Sequence, residues 1–116
     1  MCHVLIIEDE TLVAMALEMC LASHGATSFD LAETEWEAIQ AARMKPPAFI
    51  TSDVNLRIGT GPAAVAQIFS ELGPIPVVFI TATPEACLPC EPPAKVFGKP
   101  LNEAEIVRAF RDMAAL

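Results

Sequence analysis

Four short apolar runs, each ending in a polar or charged residue, constrain this chain more than any other feature. Val4-Leu5-Ile6-Ile7 leads into Glu8-Asp9, and Ala48-Phe49-Ile50-Thr51-Ser52 into Asp53. Val77-Val78-Phe79-Ile80 ends in Thr81, and Val96-Phe97-Gly98 in Lys99-Pro100. Runs this short, continuously apolar and rich in β-branched and aromatic residues, read as strands covered on both faces. A covered sheet needs helices above and below it, and the segments between the runs have that composition.

Strands are expected at residues 3–8, 48–53, 76–81 and 95–98, with a weaker and more polar one at 26–31 suited to an edge. Helices are expected over 11–24, stopping at Gly25, and from Thr34 to about Met44, where Thr34 and Glu37 form a capping-box pair;. A third begins at Pro62 and runs to Leu72, stopped by Gly73-Pro74; a last one follows Asn102 and Glu105, with Ile106, Phe110 and Met113 along one face;. Between the last two strands, Pro84, Pro89, Pro92 and Pro93 limit any regular helix to one turn;. Alternation of this kind implies βαβ units and a parallel sheet. The expected fold is therefore α/β: a doubly wound, flavodoxin-like, five-stranded parallel sheet of order 2-1-3-4-5, with helix 4 short or missing.

The chain has 116 residues, so one domain spanning 1–116 is expected;. Its hydrophobic fraction of 53% is enough for a core without staples;. A formal net charge of -8 argues against direct binding of nucleic acid, which needs a basic face;. No segment has the length of a membrane span and no signal-peptide pattern opens the chain, so the expected location is cytoplasmic and the four cysteines are expected to be thiols;. Cys87-Leu-Pro-Cys90 has the spacing of half a zinc site or a redox pair, but it lies in a proline-rich loop with no second pair;. Cys2, His3 and His24 fall outside the strand ends and read as packing or surface residues.

In an open parallel sheet, ligands bind beyond the carboxyl ends of the strands, so Glu8, Asp9, Asp53, Thr81 and Lys99 should converge. Carboxylates a few ångströms apart repel by roughly 4 kcal/mol per close pair at an effective dielectric of 20, so such a cluster needs a cation. An all-oxygen pocket with few protein ligands suits Mg²⁺. Asp53 ends the central strand, where a carboxylate can act as nucleophile toward phosphorus, with Lys99 as the fixed cation and the Thr81 hydroxyl as a donor. Each residue alone has an ordinary explanation: Asp9 could cap a helix, Asp53 could open a turn, and Lys99 could be a solvated strand end. Four strand ends out of five in one pattern favour the site.

Over essentially its full length, the ordered set Glu8-Asp9, Asp53-Val-Asn-Leu, Thr81-Ala and Lys99-Pro100 resembles the receiver domain of bacterial two-component response regulators. The resemblance implies a phosphorelay protein rather than an enzyme. Asp53 would take a phosphoryl group from a sensor histidine kinase or a histidine phosphotransferase and lose it slowly by self-dephosphorylation. It also implies Mg²⁺ bound directly by Asp9 and Asp53, by the backbone carbonyl of Asn55, and by Glu8 through water. Lys99 would pair with the phosphoryl group and Thr81 would swing toward it. Receivers of this kind have a cis peptide after the lysine, whereas trans is the ordinary expectation for an X-Pro bond.

Three features depart from the common pattern. The usual aromatic three residues before the lysine is Val96 here, with Phe97 next. The fourth helix looks vestigial, which counts against dimerisation through it. The stretch from Pro76 to Glu85 is partly similar to alphaproteobacterial receivers of the general stress response, although Ala82 stands where those often have glycine. No output module follows Leu116, so a single-domain regulator signalling through protein binding is expected. Helix 11–24 carries Leu12, Val13, Met15, Leu17, Met19 and Leu21, more apolar residues than one buried stripe requires; most should bury, and the remainder would form the donor's docking face;. A receiver-like interaction module that ignores phosphorylation is the alternative. A small phosphohydrolase is disfavoured by the lack of a glycine-rich phosphate loop and of a cap domain.

Overall fold

The computed structural model describes residues 2–82 and 94–114. Five strands, β1 (His3–Ile7), β2 (Ser28–Ala32), β3 (Phe49–Asp53), β4 (Val77–Thr81) and β5 (Ala94–Gly98), form one parallel sheet of order β2-β1-β3-β4-β5. Four helices accompany them among the described residues: α1 (Thr11–Ala22), α2 (Glu35–Met44), α3 (Gly61–Leu72) and α4 (Glu103–Met113). The order is the doubly wound one expected from the sequence. The proline-rich stretch where a short or missing helix was expected, with Cys87 and Cys90, lies outside the described residues.

Side-chain alternation along the strands builds two cores. Val4, Ile6, Phe49, Val78 and Ile80 face α1 and α4, meeting Leu17, Leu21, Ile106 and Phe110. Leu5, Ile7, Ile50, Val77 and Phe79 face α2 and α3, meeting Ala38, Ala42, Ala64, Val65 and Ile68. Continuous apolar sequence in β1 and β4 follows from burial on both faces; every residue of each is buried;. The edge strand β2 is only partly covered, which is why its sequence is more polar.

The helix boundaries follow their caps. Thr34 accepts from the Glu37 N–H at 3.1 Å, Thr60 from Ala63 N–H at 3.2 Å, and Asn102 from Glu105 N–H at 3.1 Å. The first helix ends at Ala22, and Gly25 closes it as expected: the glycine lies in the left-handed region at φ 116°, and the Ala26 N–H donates back to the Leu21 carbonyl at 3.1 Å;. Its apolar side chains divide: Leu17 and Leu21 are buried, whereas Leu12, Met15 and Met19 are exposed.

Candidate functional site

The parallel register brings the strand ends together. Ile7 lies beside Ser52, Asp53 beside Ile80, and Thr81 beside Gly98. The Glu8 N–H continues the β1–β2 ladder to the Ala32 carbonyl at 2.8 Å, and the Lys99 N–H continues β5 onto the Thr81 carbonyl at 2.8 Å. Residues just past each strand therefore line one cleft of about 390 Å³, walled by Asp9, Glu10, Asp53, Asn55, Thr81, Ala82 and Lys99.

Asp53 is buried with both carboxylate oxygens engaged: Oδ1 accepts from the Val54 N–H at 2.8 Å and Oδ2 from Lys99 Nζ at 3.3 Å. Lys99 Nζ also donates to Glu10 Oε1 at 3.1 Å and lies 3.7 Å from Glu8 Oε1. Burial alone would lower the Lys99 pKa, but the hydrogen bond to Glu10 and the charges of Glu8 and Asp53 outweigh it and raise it, so the ammonium stays charged;. Glu8 is buried, and that burial, together with the Asp53 carboxylate beside it, pushes its carboxyl up to about 8;. Its Oε2 accepts from the Glu10 N–H at 3.2 Å.

Glu8, Asp9, Glu10 and Asp53 each place a carboxylate oxygen within 4.8 Å of the others. One lysine cannot neutralise four carboxylates, and the donors are all oxygen, so the cluster fits a hard divalent cation. The Lys99–Pro100 peptide is cis.

The cleft gathers every residue expected there: Glu8, Asp9, Asp53, Asn55, Thr81 and Lys99. Two further residues belong to it. Glu10, adjoining Glu8-Asp9 in sequence, reaches Lys99, and its place in an acidic triplet is the signal that could have flagged it. Gly61 opens α3 against β3, where a Cβ would overlap the Asp53 carbonyl oxygen and Ser52 Oγ. His3 lies at the opposite end of β1 and is structural: its ring nitrogens contact Ser28 Oγ at 2.7 Å and Asp30 Oδ2 at 2.9 Å. Val96 packs against the α2/α3 core and Phe97 against the α1/α4 core, so the shifted aromatic points to the other face of the sheet. A larger groove of about 580 Å³ between α1 and α4, lined by Cys20, His24 and Arg108 among others, is remote from these carboxylates.

The family model of the response regulator receiver domain matches residues 4–92, and the chain belongs to that family. Receiver domains are phosphoacceptor switches, not enzymes. Among curated proteins, the chain is 36% identical over 107 residues to the phyllosphere-induced regulator PhyR of Methylorubrum extorquens, covering 90% of this chain and 40% of that one. The solution structure of the Erythrobacter litoralis PhyR receiver domain superposes with a TM-score of 0.87 at 31% identity, over 99% of this chain and 91% of that one. Crystalline anti-anti-sigma factor PhyR from Bartonella quintana is similar at 36% identity and a TM-score of 0.79, over 98% of this chain but 47% of its own. The chain thus spans less than half the length of these full-length relatives. A receiver domain from the Pseudomonas aeruginosa sensor kinase PA1611, which shares the fold at 22% identity and a TM-score of 0.85 over 99% of this chain and 98% of that one, holds magnesium in its cleft. No described helix is long and apolar enough to cross a membrane.

Proposed function

We propose that residues 1–116 form a Mg²⁺-dependent phosphoacceptor whose nucleophile is Asp53 and whose output is a change in protein binding. The observation that carries this reading is the buried Asp53 carboxylate, held by Lys99 and the Val54 N–H inside a four-carboxylate cluster. One oxygen of Asp53 forms a bond to phosphorus as the P–N bond to a donor histidine breaks, and the imidazole leaves. Asp9, Asp53, the Asn55 carbonyl and, through water, Glu8 would hold Mg²⁺, which when bound would neutralise charge on the transferring group. Lys99 neutralises a further phosphoryl oxygen, and the Thr81 hydroxyl at the cleft wall donates to another;.

A sensor histidine kinase or histidine phosphotransferase is the donor in this reading. Leu12, Met15 and Met19 line an exposed stripe of the helix that begins beside the cleft, which suits the docking of a donor helix;. Kinship with PhyR, whose Bartonella quintana member is an anti-anti-sigma factor, supports a regulatory protein as the downstream partner. The acidic chain suits a cytoplasmic protein-binding role without nucleic acid;.

Incubation with acetyl phosphate and Mg²⁺ should add one phosphate to the intact mass, and Asp53→Asn should abolish the addition. No uptake from any donor would overturn the reading. Phe97, turned away from the α2/α3 face that Val96 occupies, favours a second possibility: a receiver-fold module whose binding ignores phosphorylation. Equal partner affinity with and without beryllofluoride would select it.

A further inference from the structure

Among the four described helices, α1 alone has no side-chain cap at its N-terminus. Its N-cap residue is Glu10, whose carboxylate turns away from its own helix and takes the Lys99 ammonium at 3.1 Å, closer than Asp53 at 3.3 Å or Glu8 at 3.7 Å. Lys99 Nζ donates to Glu10 and Asp53, while Glu8 at 3.7 Å lies beyond hydrogen-bond distance;. A phosphoryl group arriving on Asp53 competes with these carboxylates for the ammonium. Glu8 is buried, and Asp53 is itself the acceptor. Glu10 is 62% exposed, so water replaces its lost bond at the least cost;.

We propose that Glu10 is a positioning residue of the phosphoacceptor site, holding Lys99 in the resting state and competing with a phosphoryl group on Asp53 for it. The inference rests on the reading of Asp53 as acceptor. Glu10 touches neither donor nor phosphorus; it acts through Lys99. Its release on phosphorylation also changes the N-terminus of α1, the helix that carries the exposed Leu12, Met15 and Met19. The state of the acceptor would thereby reach a protein-binding surface directly through β1 and α1.

The test is beryllofluoride affinity in the presence of Mg²⁺, read by ¹⁹F NMR, for the wild type, Glu10→Gln and Glu10→Asp. Both variants should bind about two- to five-fold more tightly, the range expected from removing one exposed ion-pair competitor. Aspartate keeps the charge but withdraws the carboxylate by about 1.5 Å, the length of one carbon–carbon bond, out of reach of Lys99. It is also a preferred N-cap residue, so Glu10→Asp should raise the melting temperature of the metal-free protein by capping α1. If only Glu10→Gln gains affinity, general charge repulsion explains the effect and the proposal fails; it fails equally if neither variant gains. In a Lys99→Met background the gain from Glu10→Gln should vanish, and its persistence would overturn the proposal. Failure of the wild type itself to bind beryllofluoride would instead remove the acceptor reading, and this inference with it.

Discussion

Replacing Gly61 with alanine tests whether β3 and α3 meet as tightly as the structure describes. Gly61 is buried at the first turn of α3, and its N–H donates to the Val54 carbonyl at 2.9 Å. Its backbone has no positive φ, so the demand for glycine is one of space. An added methyl would overlap the Asp53 carbonyl oxygen and the Ser52 hydroxyl, which donates to that same carbonyl at 2.8 Å. Backbone cannot rotate aside as a side chain can. Either α3 retreats and loses the bond to Val54, or the Asp53 carbonyl moves. Overpacking costs about 1–3 kcal/mol and the lost hydrogen bond about 1 kcal/mol more. Alanine's better helix propensity returns about 1 kcal/mol, leaving a net loss of about 1–3 kcal/mol. For a domain of this size that corresponds to a fall in Tm of about 4–12 °C. Thermal and urea unfolding measure the stability, and acetyl phosphate uptake under conditions where the variant remains folded measures the acceptor. Both should fall, because the displaced carbonyl belongs to Asp53 itself. A Tm within about 2 °C of wild type, together with normal uptake, would refute the close approach.

Three further outcomes follow from the cores and the cluster. Thr51 is fully buried in β3 and its hydroxyl finds no hydrogen-bond partner among the described residues, so Thr51→Val should raise stability by about 1 kcal/mol in urea unfolding; a loss would mean the hydroxyl is satisfied;. Phe110 is buried edge-to-face against Phe49, with centroids 5.1 Å apart, and Phe110→Ala should cost about 3–5 kcal/mol by the same measurement; a cost below about 1 kcal/mol would contradict the packing;. Glu8 titrates near 8 when folded against an ordinary value of 4.5, so folding favours its protonated form. That contribution is complete below about pH 4.5 and is lost as pH rises toward 8, with a slope of at most about 1.4 kcal/mol per pH unit in metal-free protein;. Unfolding at a series of pH values should show the decline, and both Mg²⁺ and Glu8→Gln should flatten it. Metal-free stability that holds level or rises across this window would exclude the raised carboxyl.

How much the sequence disclosed depended on whether the determining physics was local. Strand runs, caps at Thr34 and Asn102, and the order of the sheet all follow from periodicity and short-range hydrogen bonding, and each appears where the residues imply it;. The strand-end set was legible for the same reason, since topology alone carries Asp53, Thr81 and Lys99 to one end of the sheet;. Glu10 and Gly61 were not. Their importance lies in contacts across 89 residues for Glu10 and Lys99, and in a strand–helix approach that no pattern of polarity encodes. Glu10 in particular stands at an N-cap position without a favoured capping side chain, and the tertiary pull of Lys99 overrides any local use of its carboxylate;.

That override bears on how a receiver of this kind can signal without the usual aromatic. The common arrangement needs a side chain three residues before the lysine to follow the threonine, and Val96 is too short to sweep between two separated positions as a ring would. Phe97 cannot substitute, because strand alternation turns it to the opposite face;. Among the described residues, a coupling route would therefore leave the cleft by another element. Lys99 joins β5 to Asp53 on β3 and to Glu10 at the head of α1, so a charge arriving on Asp53 would act on α1 through a single ammonium. Lys99 donates to Glu10 and Asp53 in the resting state, and a phosphoryl group on Asp53 would compete with Glu10 for it;. An element with two discrete arrangements, biased by the charge on Asp53, is what a switch physically requires.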